Sequence, residues 1–171
     1  RTKCSGGCEF CLASYKTDPR TDGSMQEETV EKIINELSEV NYNNRLSFYN
    51  NNEPFLDKRI YSFIQIARNK LPKAFLELKT NGKGLKIENI ERIFNSGLDF
   101  LYINDYVNEE NFKKNLHSKN ILKIIEQLKK MRRFKGKNNE KNKFERIDIG
   151  LRFEGAVMNT RAGTAPNRQP D

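Results

Sequence analysis

Segments typical of β-strands alternate along the sequence with segments typical of amphipathic helices, and this alternation restricts the fold more than any other feature. The strand-like segments are residues 45–50, 75–79, 98–104 and 146–153. Between them apolar residues recur at helical spacing, as in Ile60, Phe63, Ile64, Ala67 and Leu71. Strands that alternate with helices typically form parallel βαβ units. The sequence therefore predicts an α/β fold with parallel strands.

Particular residues mark where the predicted helices begin and end. A capping-box pattern at residues 24–27 predicts the start of the first helix. Pro72 is expected to end the second helix, and Gly97 stands where a C-terminal cap of the third belongs. A long helical region is predicted over residues 109–134, with a break near His117.

The basic character of the chain is confined to one segment. The formal net charge is +8, and residues 119–146 contain eleven Lys and Arg residues against three Asp and Glu. That segment accounts for the whole excess of positive charge, so positive and negative residues are equal in number in the rest of the chain. We interpret it as a solvated helix face and loop; contact with nucleic acid or an acidic partner is the alternative.

All three cysteines of the chain lie within eight residues near its start. A disulfide framework uses even numbers of cysteines spread along a chain, so this cluster indicates a metal or an iron–sulfur cluster instead. The sequence shows no export signal and no apolar run near the ~20 residues that span a membrane. We therefore expect a cytoplasmic protein with reduced thiols and no membrane partner.

The spacing Cys4-x3-Cys8-x2-Cys11 allows three thiolates on one short loop to face a common centre. A structural zinc site has four protein ligands, and the chain has no fourth cysteine. A cubane cluster held by three cysteines leaves one iron free to bind a substrate or cofactor. The alternatives are a zinc site completed by His117 or a carboxylate, and three unrelated buried thiols.

With Phe10 directly before Cys11, this spacing resembles the signature of the radical S-adenosylmethionine (SAM) superfamily. The resemblance implies that Cys4, Cys8 and Cys11 hold a [4Fe-4S] cluster whose open iron binds the amino and carboxylate groups of SAM. It also implies that Phe10 lies near the adenine. In that family one-electron reduction cleaves SAM to methionine and a 5′-deoxyadenosyl radical, which abstracts hydrogen from a substrate.

A second segment, Asn51-Asn52-Glu53-Pro54, is similar to the Gly-Gly-Glu-Pro loop that binds the SAM amino group in this family. Asn replaces both glycines, and Asn tolerates left-handed backbone better than most residues. The resemblance implies that Asn52, Glu53 and Pro54 lie against SAM. An ordinary turn with a solvated Glu53 is the alternative.

Polar residues at the later strand ends also resemble the family. Thr80-Asn81-Gly82 follows one strand, and Asn81 is a candidate SAM contact. Asn104 and Asp105 are expected to end the next strand, where they would touch the ribose or cap a helix. Arg152 can pair with the SAM carboxylate through its guanidinium group or form a structural ion pair.

Two further residues receive structural interpretations. Tyr102 is expected to serve in packing. His117, the only histidine, is expected to be a surface residue of a helix. No catalytic acid or base is assigned from the sequence.

The resemblance implies a partial (β/α)6 barrel that lacks the first strand, which normally precedes the cysteine loop. Residues 1–158 would form the core, and residues 159–171 a linker toward a C-terminal domain. The stretch Asn159-Thr160-Arg161-Ala162-Gly163 is similar to the one that precedes SPASM domains, with Thr160 as an insertion. We therefore expect a fragment of a SPASM- or twitch-bearing enzyme.

The expected function is that of a radical SAM oxidoreductase or modifying enzyme acting on a peptide, or on a sugar or aminocyclitol. Its reductant would be a flavodoxin or ferredoxin. The alternative is a non-catalytic metal- or cluster-binding module that contacts nucleic acid through residues 119–146. A degenerate or truncated relic of a radical SAM enzyme is a second alternative.

Overall fold

The computed structural model describes residues 4–8, 11, 21–50, 52–135 and 146–153. The strands are β1 (Arg45–Ser47), β2 (Phe75–Thr80), β3 (Phe100–Val107) and β4 (Ile147–Phe153). The helices are α1 (Glu27–Glu39), α2 (Ile60–Lys70), α3 (Ile87–Asn95), α4 (Glu109–Lys113) and α5 (Lys119–Lys135). A short 3-10 helix spans Pro54–Leu56. None of the described helices is long and apolar enough to cross a membrane.

The four strands form one sheet in which every neighbouring pair is parallel and the spatial order β1-β2-β3-β4 follows the chain. Helices connect successive strands, as the alternation in the sequence predicts. Because all strands run the same way, their carboxyl ends meet at one edge of the sheet. Ligands bind at this edge in parallel α/β folds.

One face of the sheet, the covered face, packs against the helices. It is formed by alternate strand residues that are fully buried: Leu76, Leu78, Leu101 and Ile103. The helices contribute the fully or almost fully buried side chains of Ile64, Ile90, Ile93, Ile121 and Ile124. Burial of these apolar side chains is the main favourable contribution to the stability of the fold.

The intervening strand residues form the opposite face, the polar face. Because side chains alternate along a strand, these residues point away from the helices. They include Ser47 of β1, Glu77 and Lys79 of β2, Tyr102, Asn104 and Tyr106 of β3, and Asp148 and Arg152 of β4; Phe75 and Phe100 lie on the same face at the starts of β2 and β3. The same four strands thus carry an apolar face and a polar face.

The predicted ends of α2 and α3 are confirmed, and Arg68 ties them together. Gly97 follows α3 with a φ of 103°, and a Cβ there would lie 2.6 Å from the Cγ of Arg68. The Arg68 guanidinium donates to the carbonyls of Gly97, Pro72 and Ala74 at 3.0, 2.9 and 3.0 Å and pairs with Asp99. Only glycine fits this close approach with a positive φ.

The predicted capping box is wrong. The N-cap of α1 is Gln26, two residues after Ser24, and no side chain caps the helix. The backbone carbonyl of Gln26 accepts hydrogen bonds from Thr29 and Val30, each at 3.2 Å. The helix therefore starts too late for Ser24 and Glu27 to occupy the two positions that the motif requires.

Two strand lengths differ from the prediction. β1 ends at Ser47 rather than at residue 50, although the amide of Phe48 still donates to the carbonyl of Glu77 at 3.2 Å. β3 continues to Val107, so Asn104 and Asp105 lie within it and do not end it. The reason is that β4 pairs with β3 as far as Val107.

The predicted break near His117 is confirmed, but the prediction that His117 is a surface helix residue is wrong. His117 lies between α4 and α5, and its Nδ1 is 2.9 Å from Oδ2 of Asp105. The amide of Ser118 donates to the same oxygen at 2.8 Å. Asp105 is 3% exposed and lies on the covered face, opposite to the face of Asn104. The cap of α4 is Asn108 instead.

Candidate active site

A cavity of about 210 Å³ lies at the carboxyl edge of the sheet, beside the cysteine loop. Its walls come from that loop and from the ends of β1, β2 and β3. The lining residues are Cys4, Cys8, Cys11, Tyr49, Asn50, Asn52, Lys79, Thr80, Asn81, Asn104 and Tyr106. The cysteine loop, the Asn52 segment and two of the predicted strand-end residues therefore meet in one place.

The three cysteines form no disulfide with one another, and all three line this cavity. Cys8 is buried, and Cys4 and Cys11 are partly buried. The loop is held by a hydrogen bond from the amide of Cys11 to the carbonyl of Cys8 at 3.2 Å and by one from the amide of Gly6 to Cys4 Sγ at 3.3 Å. A Cβ on Gly6 would touch the sulfurs of both Cys4 and Cys8, at 3.4 and 3.5 Å.

The donor set fits an iron–sulfur cluster. Among the described residues, no three Cys, His, Asp or Glu side chains lie close enough together to hold one metal ion. Iron–sulfur clusters are held by cysteine thiolates, and these three cysteines line one cavity. His117, the proposed fourth zinc ligand, does not line this cavity and is paired with Asp105.

The environment of Cys4 has opposing effects on its acidity. Burial raises the pKa of the Cys4 thiol, and the nearby Glu53 carboxylate raises it further. Hydrogen bonds from the Gly6 amide and the Asn81 side chain act in the other direction. The net shift is upward, so binding a positively charged metal group is what would stabilise the thiolate form.

Asn81 connects the cysteine loop to the end of β2. Its side-chain amide donates to Cys4 Sγ at 3.4 Å and to Ser5 Oγ at 3.2 Å, and its Oδ1 accepts from the amide of Lys83 at 2.8 Å. Its conformation depends on the following Gly82, which has a φ of 69°. A Cβ on Gly82 would lie 2.8 Å from Ile121 Cδ1, so the turn requires glycine.

Glu53 lies behind the cavity wall and does not line it. The side chain is 3% exposed. Oε1 accepts hydrogen bonds from Thr80 Oγ1 at 2.7 Å and from the amide of Phe55 at 3.2 Å, and Oε2 accepts from the amide of Asn81 at 2.8 Å. Burial raises the pKa of Glu53 in spite of these bonds. The carboxylate fixes two site loops to each other, which the alternative of a solvated turn residue did not anticipate.

The neighbours of Glu53 differ in their positions. Asn52 lines the cavity, and its Oδ1 accepts from the amide of Asn50 at 3.0 Å. Pro54 is fully buried at the start of the 3-10 helix and does not line the cavity. Of the three residues predicted to lie against SAM, only Asn52 presents its side chain to the cavity.

Arg152 lies next to the cavity without lining it. Its Nε donates to Asn104 Oδ1 at 3.3 Å, and its Nη2 donates to the hydroxyl of Tyr102 at 3.0 Å. Asn104 itself lines the cavity. Tyr102 therefore makes a polar contact in addition to packing. Gly150 on β4 makes room for it, since a Cβ there would collide with the Tyr102 hydroxyl.

Four residues that line the cavity were not identified from the sequence: Tyr49, Asn50, Lys79 and Tyr106. The available signal was the alternation of side chains along the strands, which places Tyr106 on the same face as Asn104. Burial, together with the nearby thiols of Cys8 and Cys11, raises the pKa of Tyr106 to about 12. Its phenol is thus protonated at neutral pH.

Some predicted features lie outside the described residues. They are Phe10, the Asn159–Gly163 stretch and the linker at residues 159–171. The expected contact of Phe10 with adenine stays a prediction, as do the domain boundaries.

Comparison of the sequence with known families identifies a match to the model of the radical SAM superfamily over residues 2–143. That range covers most of the chain, including the cysteine loop and the first three strands. A search of curated protein sequences gave no significant match.

Two solved structures share the fold. One is BtrN in complex with AdoMet and 2-DOIA, with a TM-score of 0.63 and 19% identity, covering 88% of this chain and 52% of that one. The other is selenomethionine BtrN in an open conformation, with a TM-score of 0.55 and 22% identity, covering 65% and 49%. This chain thus spans about half the length of either. The likeness supports the predicted partial barrel.

Proposed function

Since this chain belongs to the radical SAM superfamily, whose members use a [4Fe-4S] cluster and SAM, we propose that Cys4, Cys8 and Cys11 hold the cluster. We further propose that SAM binds in the adjoining cavity. The observation that carries this proposal is the position of three cysteine side chains around one cavity at the carboxyl edge of a parallel sheet. Three cysteine ligands leave one iron available to a cofactor.

When bound, the reduced cluster supplies the electron that cleaves the sulfonium bond of SAM to give methionine and a 5′-deoxyadenosyl radical. The protein positions the side chains that surround the cluster and SAM. The side-chain amide of Asn81 donates to Cys4 Sγ at 3.4 Å. Hydrogen bonds to ligand sulfurs are one of the means by which a protein sets the potential of a cluster.

Glu53 acts as a positioning residue in this proposal. Its carboxylate accepts three hydrogen bonds from the protein, so it has little capacity left to contact SAM. Instead it holds the amide of Asn81 and the hydroxyl of Thr80 in place. Asn52, on the cavity side of the same loop, is the proposed SAM contact.

Asn104 is the proposed contact for the ribose of SAM, and Arg152 is the proposed partner of its carboxylate. Asn104 lines the cavity, and Arg152 reaches it through its bond to Asn104. Arg152 forms no ion pair with a carboxylate in the described part of the chain, which favours the SAM carboxylate over a structural partner. A guanidinium group matches a carboxylate geometrically. Phe10 is proposed to lie near the adenine.

The substrate is proposed to be a peptide, or a sugar or aminocyclitol, oxidised or modified after hydrogen abstraction. BtrN, which has a similar fold, was crystallised with 2-DOIA. A flavodoxin or ferredoxin would supply the electron. The SPASM- or twitch-bearing architecture and a cytoplasmic location are part of the same proposal.

The test is product formation by the reconstituted protein with SAM and dithionite. We expect the wild-type chain to release 5′-deoxyadenosine and Cys8→Ala to release none, since the cluster would lose one of three ligands. Ser96→Ala serves as the control. It removes a side-chain hydroxyl at the C-terminal end of α3, whose hydrogen bond goes to the carbonyl of Arg92, and it should release 5′-deoxyadenosine as the wild type does. Detection of 5′-deoxyadenosine from Cys8→Ala at the wild-type rate would contradict the assignment of the ligands.

A further inference from the structure

Lys79 occupies the centre of the polar face and lines the cavity. In the register of the sheet it stands beside Tyr102 of β3. Its Nζ lies 5.0 Å from the centre of the Tyr49 ring and 5.9 Å from that of Tyr102. A cation between two aromatic rings is held in place by their negative faces.

The ammonium group of Lys79 has three N–H donors, and none of them has a protein acceptor in the described part of the chain. The nearest carboxylate along the strand, Glu77, is already occupied. It accepts from Ser47 Oγ at 2.7 Å and from the Tyr49 hydroxyl at 2.9 Å, and it pairs with Arg45 at 3.5 Å. Asp148, opposite Tyr102 on β4, makes no ion pair with Lys79 in the residues described.

The two tyrosines offer Lys79 only their rings. The Tyr49 hydroxyl donates to Glu77, and the Tyr102 hydroxyl accepts from Arg152. Among the cavity-lining residues that the structure describes, Lys79 is the one cationic side chain, and no carboxylate is present. The cavity therefore contains a positioned positive charge whose hydrogen-bond donors are available to a ligand.

We propose that Lys79 binds a carboxylate group of the substrate. This inference rests on the proposed function, because it takes the cavity to be the SAM and substrate site. SAM also carries a carboxylate, for which Arg152 is the proposed partner. Lys79 comes two residues before Asn81, which contacts the cysteine loop, so its Cα lies about 6–7 Å before that of Asn81 along the chain. We therefore assign Lys79 to a second anion, that of the substrate.

The positive charge of Lys79 favours some of the proposed substrate classes over others. An aminocyclitol carries a positive charge at neutral pH and would be repelled by Lys79. A peptide with an acidic side chain or a free C-terminus supplies the complementary group. The substrate of this enzyme is accordingly an acidic peptide or another carboxylate-bearing molecule.

The experiment compares how tightly the reconstituted full chain binds a dicarboxylate and the corresponding uncharged diamide. Glutarate and glutaramide are titrated by calorimetry, with and without saturating SAM. We expect the wild type to bind glutarate about fivefold more tightly than glutaramide, as a partly exposed charge pair allows. Lys79→Met, which keeps the stem between the rings, should lose this preference, and Lys79→Arg should keep it.

Other results would overturn the proposal. Equal binding of both probes by the wild type would show that the cavity does not select an anion. An unchanged preference in Lys79→Met would place the anion elsewhere. A Lys79→Met variant whose reduced-cluster EPR spectrum no longer responds to SAM, while Lys79→Arg responds, would assign the lysine to the SAM carboxylate instead.

The same samples separate failure of this inference from failure of the proposed function. If the wild-type cluster does not respond to SAM, the proposed function is wrong whatever the probes do. If it responds but glutarate is not preferred, only the assignment of Lys79 is wrong.

Discussion

The two faces of the sheet use the same four strands for different purposes. On the covered face, Leu78 and Ile103 are fully buried and pack against helices. On the polar face, their neighbours Lys79 and Asn104 line the cavity. Because side chains alternate along a strand, of two consecutive residues one packs in the core and the other faces the cavity. Substitutions at adjacent positions should therefore have unrelated effects.

The largest expected difference in stability is between Leu78 and Lys79. Leu78→Ala should lower the free energy of unfolding by about 3 kcal/mol, because it leaves a cavity in the core. Lys79→Ala should lower it by less than about 1 kcal/mol, since the side chain is partly exposed, makes no ion pair within the described residues and loses only its cation–π contacts with the Tyr49 and Tyr102 rings. Urea unfolding followed by circular dichroism measures both. Comparable losses of unfolding free energy in the two variants would show that residues of the polar face also stabilise the fold.

A second comparison concerns two glycines of the turn after β2, both with positive φ. Gly82→Ala should destabilise the protein by about 2 kcal/mol or more, because its Cβ would collide with Ile121 on the covered side. Gly84 has a φ of 73°, but a Cβ there would have no heavy atom within 4 Å. Gly84→Ala should therefore lower the free energy of unfolding by only about 1 kcal/mol. Thermal unfolding midpoints compare them directly, and a similar loss in both variants would argue against the close contact.

The smallest expected effect is the pH dependence caused by Glu53. Burial raises the pKa of this carboxyl in the folded state, so folding favours its protonated form. The wild type should gain stability, relative to Glu53→Gln, as the pH falls through the folded pKa toward the unfolded one. Urea unfolding of both proteins at pH 7 and pH 5 measures this difference. An equal change in both proteins would mean that Glu53 does not titrate as proposed.

The sequence predicted the elements that depend on local pattern. α2 and α3 follow from apolar spacing and from Pro72 and Gly97, and the four parallel strands follow from alternation with helices. The end of β3 could not be predicted, because it depends on pairing with β4 and on Asp105. That buried carboxylate is satisfied by His117 and Ser118, which come twelve and thirteen residues later.

The site was predictable to the extent that its motifs are local. The cysteine spacing, Asn52, Asn81 and Asn104 were identified from the sequence, and all line the cavity. The bracing role of Glu53 was not identified, since its partners Thr80 and Asn81 lie on another loop. Lys79 was missed because its significance depends on Tyr49, which follows β1, and on Tyr102 of β3.

The most direct test of the central claim is EPR spectroscopy of the anaerobically reconstituted, dithionite-reduced protein, recorded before and after addition of SAM. We expect the signal of a reduced cubane cluster that changes when SAM is added, because one iron has no protein ligand. A colourless, zinc-loaded protein, or a cluster signal that SAM does not alter, would contradict the assignment of Cys4, Cys8 and Cys11 to an open-iron cluster.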